Sequence, residues 1–210
     1  MSRGNLIIIS APSGSGKTSL ARRTLDQVSD LSFSVSHTTR APRRGEVEGE
    51  SYFFVSQPKF EEMIAQGAFL EWAHVYRNYY GTSRNFVEQE LDAGRDVLLD
   101  IDVQGAAKVR SRVPEAISIF VFPPSYRVLA ERLERRGLDD SDVIKSRLEV
   151  ARNEIREYNQ YDFLIVNDDI EESVNALKSI VLAARYKRER VGPRARRIVA
   201  TFLNEESETR

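Results

Sequence analysis

Leu6-Ile7-Ile8-Ile9-Ser10-Ala11-Pro12-Ser13-Gly14-Ser15-Gly16-Lys17-Thr18 is the stretch that decides the fold of this chain. Leu6 to Ile9 make a short, continuous apolar run, the pattern of a strand buried on both faces of a parallel sheet. Ala11 to Thr18 then match a phosphate-binding loop, with Ala11 where the first glycine usually stands. Glycines let such a loop turn its backbone N–H groups inward around phosphate oxygens. A helix opening near Lys17 adds its N-terminal dipole, and Leu20, Ala21, Leu25 and Val28 give that helix one apolar face. Lys17 can then reach the β- and γ-phosphates, and the Thr18 hydroxyl can ligate Mg²⁺. A Ser/Gly-rich connector would also join strand to helix. The complete pattern between a strand and a helix favours a nucleoside triphosphate site.

The same rhythm continues outward. Val97-Leu98-Leu99 and Ile119-Phe120-Val121-Phe122 are two further buried-strand runs, and Phe163-Leu164-Ile165-Val166 is the last strand, with helical stretches between them. Four apolar strands alternating with helices imply an α/β fold: a parallel sheet of the P-loop NTPase type, flanked by helices. The β-rich stretch from Phe33 to Tyr80 interrupts that rhythm as an insertion. Ser125 to Tyr158 reads as two helices broken at Gly137 to Asp140. Gly192-Pro193 is expected to end the long helix after the last strand, ahead of a short tail helix carrying Ile198, Val199, Phe202 and Leu203. The expected division is a core of residues 1–32, 85–124 and 160–210, an insertion at 33–84 and a helical lid at 125–159.

Composition excludes several classes. With 210 residues, 41% of them hydrophobic, the chain can bury the core of one domain with insertions. Lysine and arginine number 31 against 32 acids, a net charge of −1, so no bulk field draws it to nucleic acid or an anionic membrane. The absence of cysteine removes disulfides, thiolate zinc sites, iron–sulfur clusters and a cysteine nucleophile. Two histidines, His37 and His74, argue against a multi-histidine metal centre and read as satisfied polar side chains. No early apolar run is long enough for a signal or a membrane span, and a soluble cytoplasmic protein is expected. Whether it is a monomer or a homo-oligomer is left open. The basic tail, Arg185, Lys187, Arg188, Arg190, Arg194, Arg196 and Arg197, reads as a solvated helix end.

Val97 to Leu99 end in two acids, Asp100 and Asp102, placed where a strand-end carboxylate meets a phosphate-binding loop and its Mg²⁺. Arg40, Arg43 and Arg44 cluster around Pro42, and Tyr52, Tyr79 and Tyr80 follow. Arginine forks and tyrosine hydroxyls both bind phosphate, so these residues suggest a second anion pocket. Ser36 to Arg43, Gly45 to Gly49, Tyr52 to Val55, Phe69 to Ala73, Asn78 to Thr82, Leu99 to Gly105 and Asp162 to Asn167 together resemble, in order, the guanylate kinases. The resemblance runs from about Asn5 to Val191.

That resemblance implies a kinase passing the γ-phosphoryl group of ATP to GMP, with Mg²⁺. It implies that Ala11, Pro12, Ser13, Gly14, Ser15, Gly16, Lys17, Thr18 and Asn167 bind ATP. Arg40, Arg43, Tyr52 and Tyr80 would hold the GMP phosphate, and Ser36, Glu71, Thr82 and Asp100 would surround the guanine. Thr18, Asp100 and Asp102 lie towards the metal, with the duties of the two acids undivided. Lys17, Arg132, Arg136 and Arg147 would compensate charge during transfer, the arginines from a lid. Two rivals remain open at this level: a kinase for another phosphorylated small molecule, and a non-catalytic binding module. The second would be expected to have a degraded loop and no lid arginines.

Overall fold

The computed structural model describes residues 2–75, 77–135 and 141–208. The main sheet is five-stranded and parallel. It comprises β1 (Leu6–Ser10), β2 (Leu31–Phe33), β7 (Asp96–Asp100), β8 (Ile117–Phe122) and β9 (Phe163–Val166), in the order β2-β7-β1-β8-β9. The unbroken apolar run of β1 has a direct cause. Ile7 and Ile9 pack with Leu20 and Ala21 of α1 (Lys17–Leu25) and Val174, Leu177 and Val181 of α7 (Ile170–Ala184). Leu6 and Ile8 face the other way, against Val87 and Leu91 of α3 (Arg84–Asp92) and Ala106 and Val109 of α4 (Val103–Arg112). Both faces of the strand are covered, so no alternation survives. Phe33 departs from expectation. It ends β2, which pairs with β7 in the main sheet through Leu31↔Asp96 to Phe33↔Leu98. This edge strand has only three half-buried residues, too few to signal from sequence which sheet it joins.

A separate four-stranded sheet holds β3 (His37–Thr38), β4 (Phe53–Phe54), β5 (Phe69–Val75) and β6 (Asn78–Ser83), in the order β4-β3-β6-β5. The helix α2 (Gln57–Ala65) closes over it. Ser56 caps that helix by accepting from the Lys59 N–H, Pro58 stands in its first turn, and Phe60 stacks on Phe69 at 4.4 Å and Tyr79 at 5.2 Å. α5 (Tyr126–Arg135) and α6 (Ser141–Glu154) pair through Leu129, Leu133, Leu148 and Ala151, and a 3₁₀ helix (Ile155–Gln160) follows. The expected break at Gly137 to Asp140 lies outside the described residues.

The C-terminal helix corrects a second expectation. α8 runs from Arg188 to Glu208 with Pro193 inside it. The break falls instead at 185–187, where the N–H groups of Arg185, Tyr186 and Lys187 donate back to the carbonyls of Leu182, Ala183 and Ala184. Those i−3 bonds tighten and end α7. Pro193 lies in the second turn of α8, so the one helical bond its missing N–H removes is that to the Glu189 carbonyl in the first turn.

Arg185 and Arg190 are not solvated as expected. Asp96, 0% exposed, accepts from Arg185 Nε at 2.6 Å and also from Arg190 Nη1. The Asn5 backbone and side chain add bonds at 2.8 and 2.9 Å. This node ties both C-terminal helices to the sheet. Asp96→Ala would leave two guanidinium groups uncompensated and is expected to cost about 3–5 kcal/mol, the usual penalty for breaking a buried pair. The melting temperature should fall by roughly 10 °C. A fall of under about 2 °C would show that the node is not needed for stability.

Candidate active site

The phosphate-binding loop leaves β1 and enters α1 through Gly14 and Gly16, whose φ values of 98° and 87° are left-handed. The left-handed backbone favours glycine at Gly16, and a Cβ there would also crowd the Asn167 side-chain amide. Gly16 is also the N-cap of α1 and offers no side chain to its N–H groups, which leaves them for an anion. Ala11 is buried in the core beneath the loop, where a methyl group fits.

Lys17 is held over the ends of β1 and β7. Its ammonium donates to the Ile101 carbonyl at 3.0 Å and pairs with Asp100 Oδ1 at 2.7 Å. Burial works against its charge, but the Asp100 carboxylate outweighs that and holds its pKa above the ordinary lysine value. Thr18 Oγ1 donates to Asp100 Oδ2 at 3.3 Å. The two acids left undivided by sequence therefore separate in space. Asp100 meets Lys17 and Thr18. Asp102 caps α4, accepting from the Gly105 N–H at 2.8 Å, while its Oδ2 is buried without a hydrogen-bond partner among the described residues.

Asp102 stands next to Glu71. A Cβ added to Gly105 would lie 2.8 Å from Glu71 Oε2 and 3.2 Å from Asp102 Oδ1, so this glycine lets α4 approach both acids. Glu71 is 3% exposed and accepts from Thr82 Oγ1 at 2.6 Å. Burial pushes its carboxyl up to about 7, and the Asp102 charge adds to that. A register shift between Phe69 and Glu71 lets Phe69, Leu70 and Glu71 all be buried. Such a bulge re-aims side chains.

The basic and aromatic cluster assembles beside this. Arg40 donates to Glu46 Oε1 at 2.7 Å and lies 5.3 Å over the Tyr52 ring, and the Tyr52 and Tyr80 rings are 6.0 Å apart. Burial, with Asp100 second, raises the Tyr52 phenol pKa, so this pocket adjoins the Lys17–Asp100 pair. The Arg43 N–H donates to Glu46 Oε2 while its side chain is exposed. Ser36 is half-buried, and its carbonyl accepts from the Phe53 N–H.

On the far side of the loop, Arg132 of α5 donates to the carbonyls of Asn167 at 3.1 Å and Ser15 at 3.4 Å, and Asn167 Nδ2 donates to Ser15 O at 2.7 Å. A cleft of about 620 Å³ opens there between Gly14, Gly16, Arg23, Arg132, Asn167 and Ile170. Arg147 is half-buried on α6. Arg136 lies outside the described residues.

Sequence reading missed Glu154, the last residue of α6. Its Oε2 is buried without a partner among the described residues, and it lines a second cleft of about 500 Å³ with Asp102, Gln104 and Glu157. Burial pushes its carboxyl up to about 7 despite the opposing charge of Lys17. Nothing in sequence separates it from the neighbouring Glu149 and Glu157. His37 is also not satisfied as expected. Its Nδ1 is buried without a partner among the described residues, because the ring stacks on Phe53 at 4.8 Å and meets the edge of Phe69 at 5.6 Å. Burial lowers its pKa and favours the neutral ring.

A phosphate-binding loop with a strand-end acid, next to a basic and aromatic pocket on its own small sheet, defines the class: a P-loop protein built to bring two anionic ligands together. Comparison with known proteins narrows it. The family model described as "Guanylate kinase" matches residues 3–184. A guanylate kinase of Neisseria gonorrhoeae is 54% identical over 188 residues, 90% of this chain and 92% of that protein. One from Coxiella burnetii is 44% identical over 206 residues, 98% of this chain and 100% of that protein. The crystal structure of guanylate kinase from Anaplasma phagocytophilum superposes with a TM-score of 0.77 at 36% identity, covering 90% of each chain. The chain belongs to the guanylate kinase family.

Proposed function

We propose that this protein transfers the γ-phosphoryl group of ATP to GMP, giving ADP and GDP, and that Glu71 with Asp102 reads the guanine. The observation that carries the base assignment is the pair of buried acids beside Gly105. Guanine presents two adjacent donors, N1–H and N2–H₂. Glu71 and Asp102 Oδ2, which has no hydrogen-bond partner among the described residues, are acceptors suited to them, with Thr82 orienting Glu71. Asp100, engaged by Lys17 and Thr18, belongs on the phosphate side of the site.

Arg40, Arg43, Tyr52 and Tyr80 would hold the acceptor phosphate, and the loop with Lys17 would hold the triphosphate. The acceptor is a phosphate oxygen, already anionic, so no general base is needed. Catalysis is then alignment plus charge compensation. Lys17, Arg132, Arg147 and Arg136 would supply positive charge as the two anions meet. Asn167 and the cleft beside Gly16 would take the adenine. Thr18 and Asp100 suit Mg²⁺, because a hydroxyl and a carboxylate oxygen are hard ligands for an ion that fills its other positions with water and phosphate oxygens. When bound, that ion neutralises charge on the β- and γ-phosphates. Among the described residues, no helix is long and apolar enough to cross a membrane.

The direct test is ADP release with GMP, IMP, AMP and a ribose phosphate as acceptors. GMP should lead AMP by roughly 10⁴-fold or more in kcat/KM, as for sites that pair with substrate donors. Activity highest on the ribose phosphate, or none on any acceptor, would overturn the proposal.

The raised pKa of Glu71 has a pH consequence. In the free protein the neutral carboxyl is favoured, so its stability contribution is complete below about 4.5 and is lost as pH rises through about 7. Base recognition needs the ionised form. Guanosine, which lacks a titrating phosphate, should bind more tightly as pH rises towards about 7 and release a proton on binding below that. Calorimetry in buffers of different ionisation enthalpy measures this. Affinity independent of pH between about 5 and 8 would remove Glu71 from the base contact.

A further inference from the structure

We propose that Lys108 and Arg112 are positioning residues for the acceptor base: from one face of α4 they hold the backbone on both sides of Glu71 and so fix its carboxylate beside Asp102. This role presupposes Glu71 as the guanine contact, as proposed above. β5 is an edge strand, last in the order β4-β3-β6-β5. The outward carbonyls of an edge strand have no strand partner and take other donors or water. Here α4 supplies the donors. Arg112 Nη1 donates to the Leu70 carbonyl, and Lys108 Nζ donates to the Trp72 carbonyl. Glu71 is the residue between them. The Lys108 ammonium also stands 4.9 Å from the centre of the Trp72 ring.

Spacing along α4 makes this clamp possible. Gly105, Lys108 and Arg112 recur at helical spacing and share one face. Gly105 brings that face against Glu71, where a Cβ would lie 2.8 Å from Oε2. The two long side chains then reach the carbonyls that flank the carboxylate. The strand needs this support. Its register shifts between Phe69 and Glu71, so the ladder with β6 is irregular where Glu71 has to be aimed. Burial and the Asp102 charge both disfavour ionised Glu71, and the Lys108 charge opposes them. A shift of about 1 Å in this backbone would spoil a two-point contact with guanine N1–H and N2–H₂. Lys108 and Arg112 thus act through Glu71 rather than on the ligand.

Lys108→Met and Arg112→Met keep the apolar stems and remove the donors. The measurements are kcat and KM for GMP, kcat/KM for AMP, KM for ATP and a thermal melt, each also made in the Glu71→Gln background. Each methionine change should raise KM for GMP roughly tenfold with kcat nearly held, the pattern of a lost charged hydrogen bond that supports ground and transition states alike. KM for ATP and kcat/KM for AMP should hold, so the GMP-to-AMP ratio falls by the same factor. Lys108→Arg and Arg112→Lys, which keep a charged donor, should recover most of that ratio. In the Glu71→Gln background the methionine changes should narrow the ratio by less than about twofold further, because the group they position no longer reads the base. A ratio unchanged in both methionine variants, while Glu71→Gln narrows it, would overturn the clamp and leave the guanine contact standing. So would losses that multiply in full in the Glu71→Gln background, or equal losses on GMP and AMP, the mark of a general structural role. An unchanged ratio in Glu71→Gln alone would remove the guanine contact itself, and the clamp with it.

Discussion

Lys17→Ala is expected to lower kcat by at least about 10³-fold with both substrates saturating, on the scale of losing a cation that acts on the transferring phosphoryl group. Lys17 stands where the loop, the end of β7 and the acceptor pocket converge, paired with Asp100 at 2.7 Å. When a triphosphate binds, the ammonium can serve its oxygens without leaving the Ile101 carbonyl, 3.0 Å away. No other described lysine takes part in this cluster. The fold should survive, because Asp100 keeps the Thr18 hydroxyl and is partly open to water. Turnover at saturating ATP and GMP, with a thermal melt of the same sample, is the measurement. Activity within about tenfold of wild type in a folded protein would mean that Lys17 does not touch the reacting phosphates.

Glu71→Gln should narrow base discrimination while keeping shape. The substitution removes a charge and puts a donor in place of one acceptor. Loss of a charged hydrogen bond is worth about 1.5–3 kcal/mol, so kcat/KM on GMP should fall by roughly 10- to 200-fold. AMP presents an acceptor at N1, which the wild-type carboxylate repels, so AMP should be hurt far less. IMP keeps N1–H but lacks the 2-amino group, and should fall between the two in the wild-type protein. Glutamine, uncharged, also removes the cost of burying an ion next to Asp102, so the variant should melt no lower than wild type near neutral pH. That combination, lost activity without lost stability, separates a recognition role from a structural one. An unchanged ratio of GMP to AMP would place the guanine away from Glu71.

Much of the fold was legible because its determinants are local. The run Leu6–Ile9, the glycines after it and the apolar face of the following helix are neighbours in the chain. Short-range backbone sterics and solvent exclusion act on them directly, and the strand–loop–helix unit forms as the residues require. Of the site, the loop was readable from its own residues. The arginine cluster around Pro42 and the tyrosines after it already suggested a second anion pocket, whereas Glu71 and Thr82 became readable only through the family resemblance, since they carry no local pattern.

What only tertiary structure decided depends on residues far apart in the chain. Asp100 and Asp102 are two positions apart, yet one meets Lys17 and Thr18 while the other caps α4 beside Glu71. The turn between β7 and α4 and the packing of the second sheet separate them. Glu154 becomes distinctive only because α6 brings it to the loop and takes it out of water. Arg185 and Arg190 read as a solvated basic tail until the fold sets the buried carboxylate of Asp96 between them. In each case a charge is fixed by partners that local sequence does not contain, because the cost of burying it is settled by whichever groups the folded chain places around it.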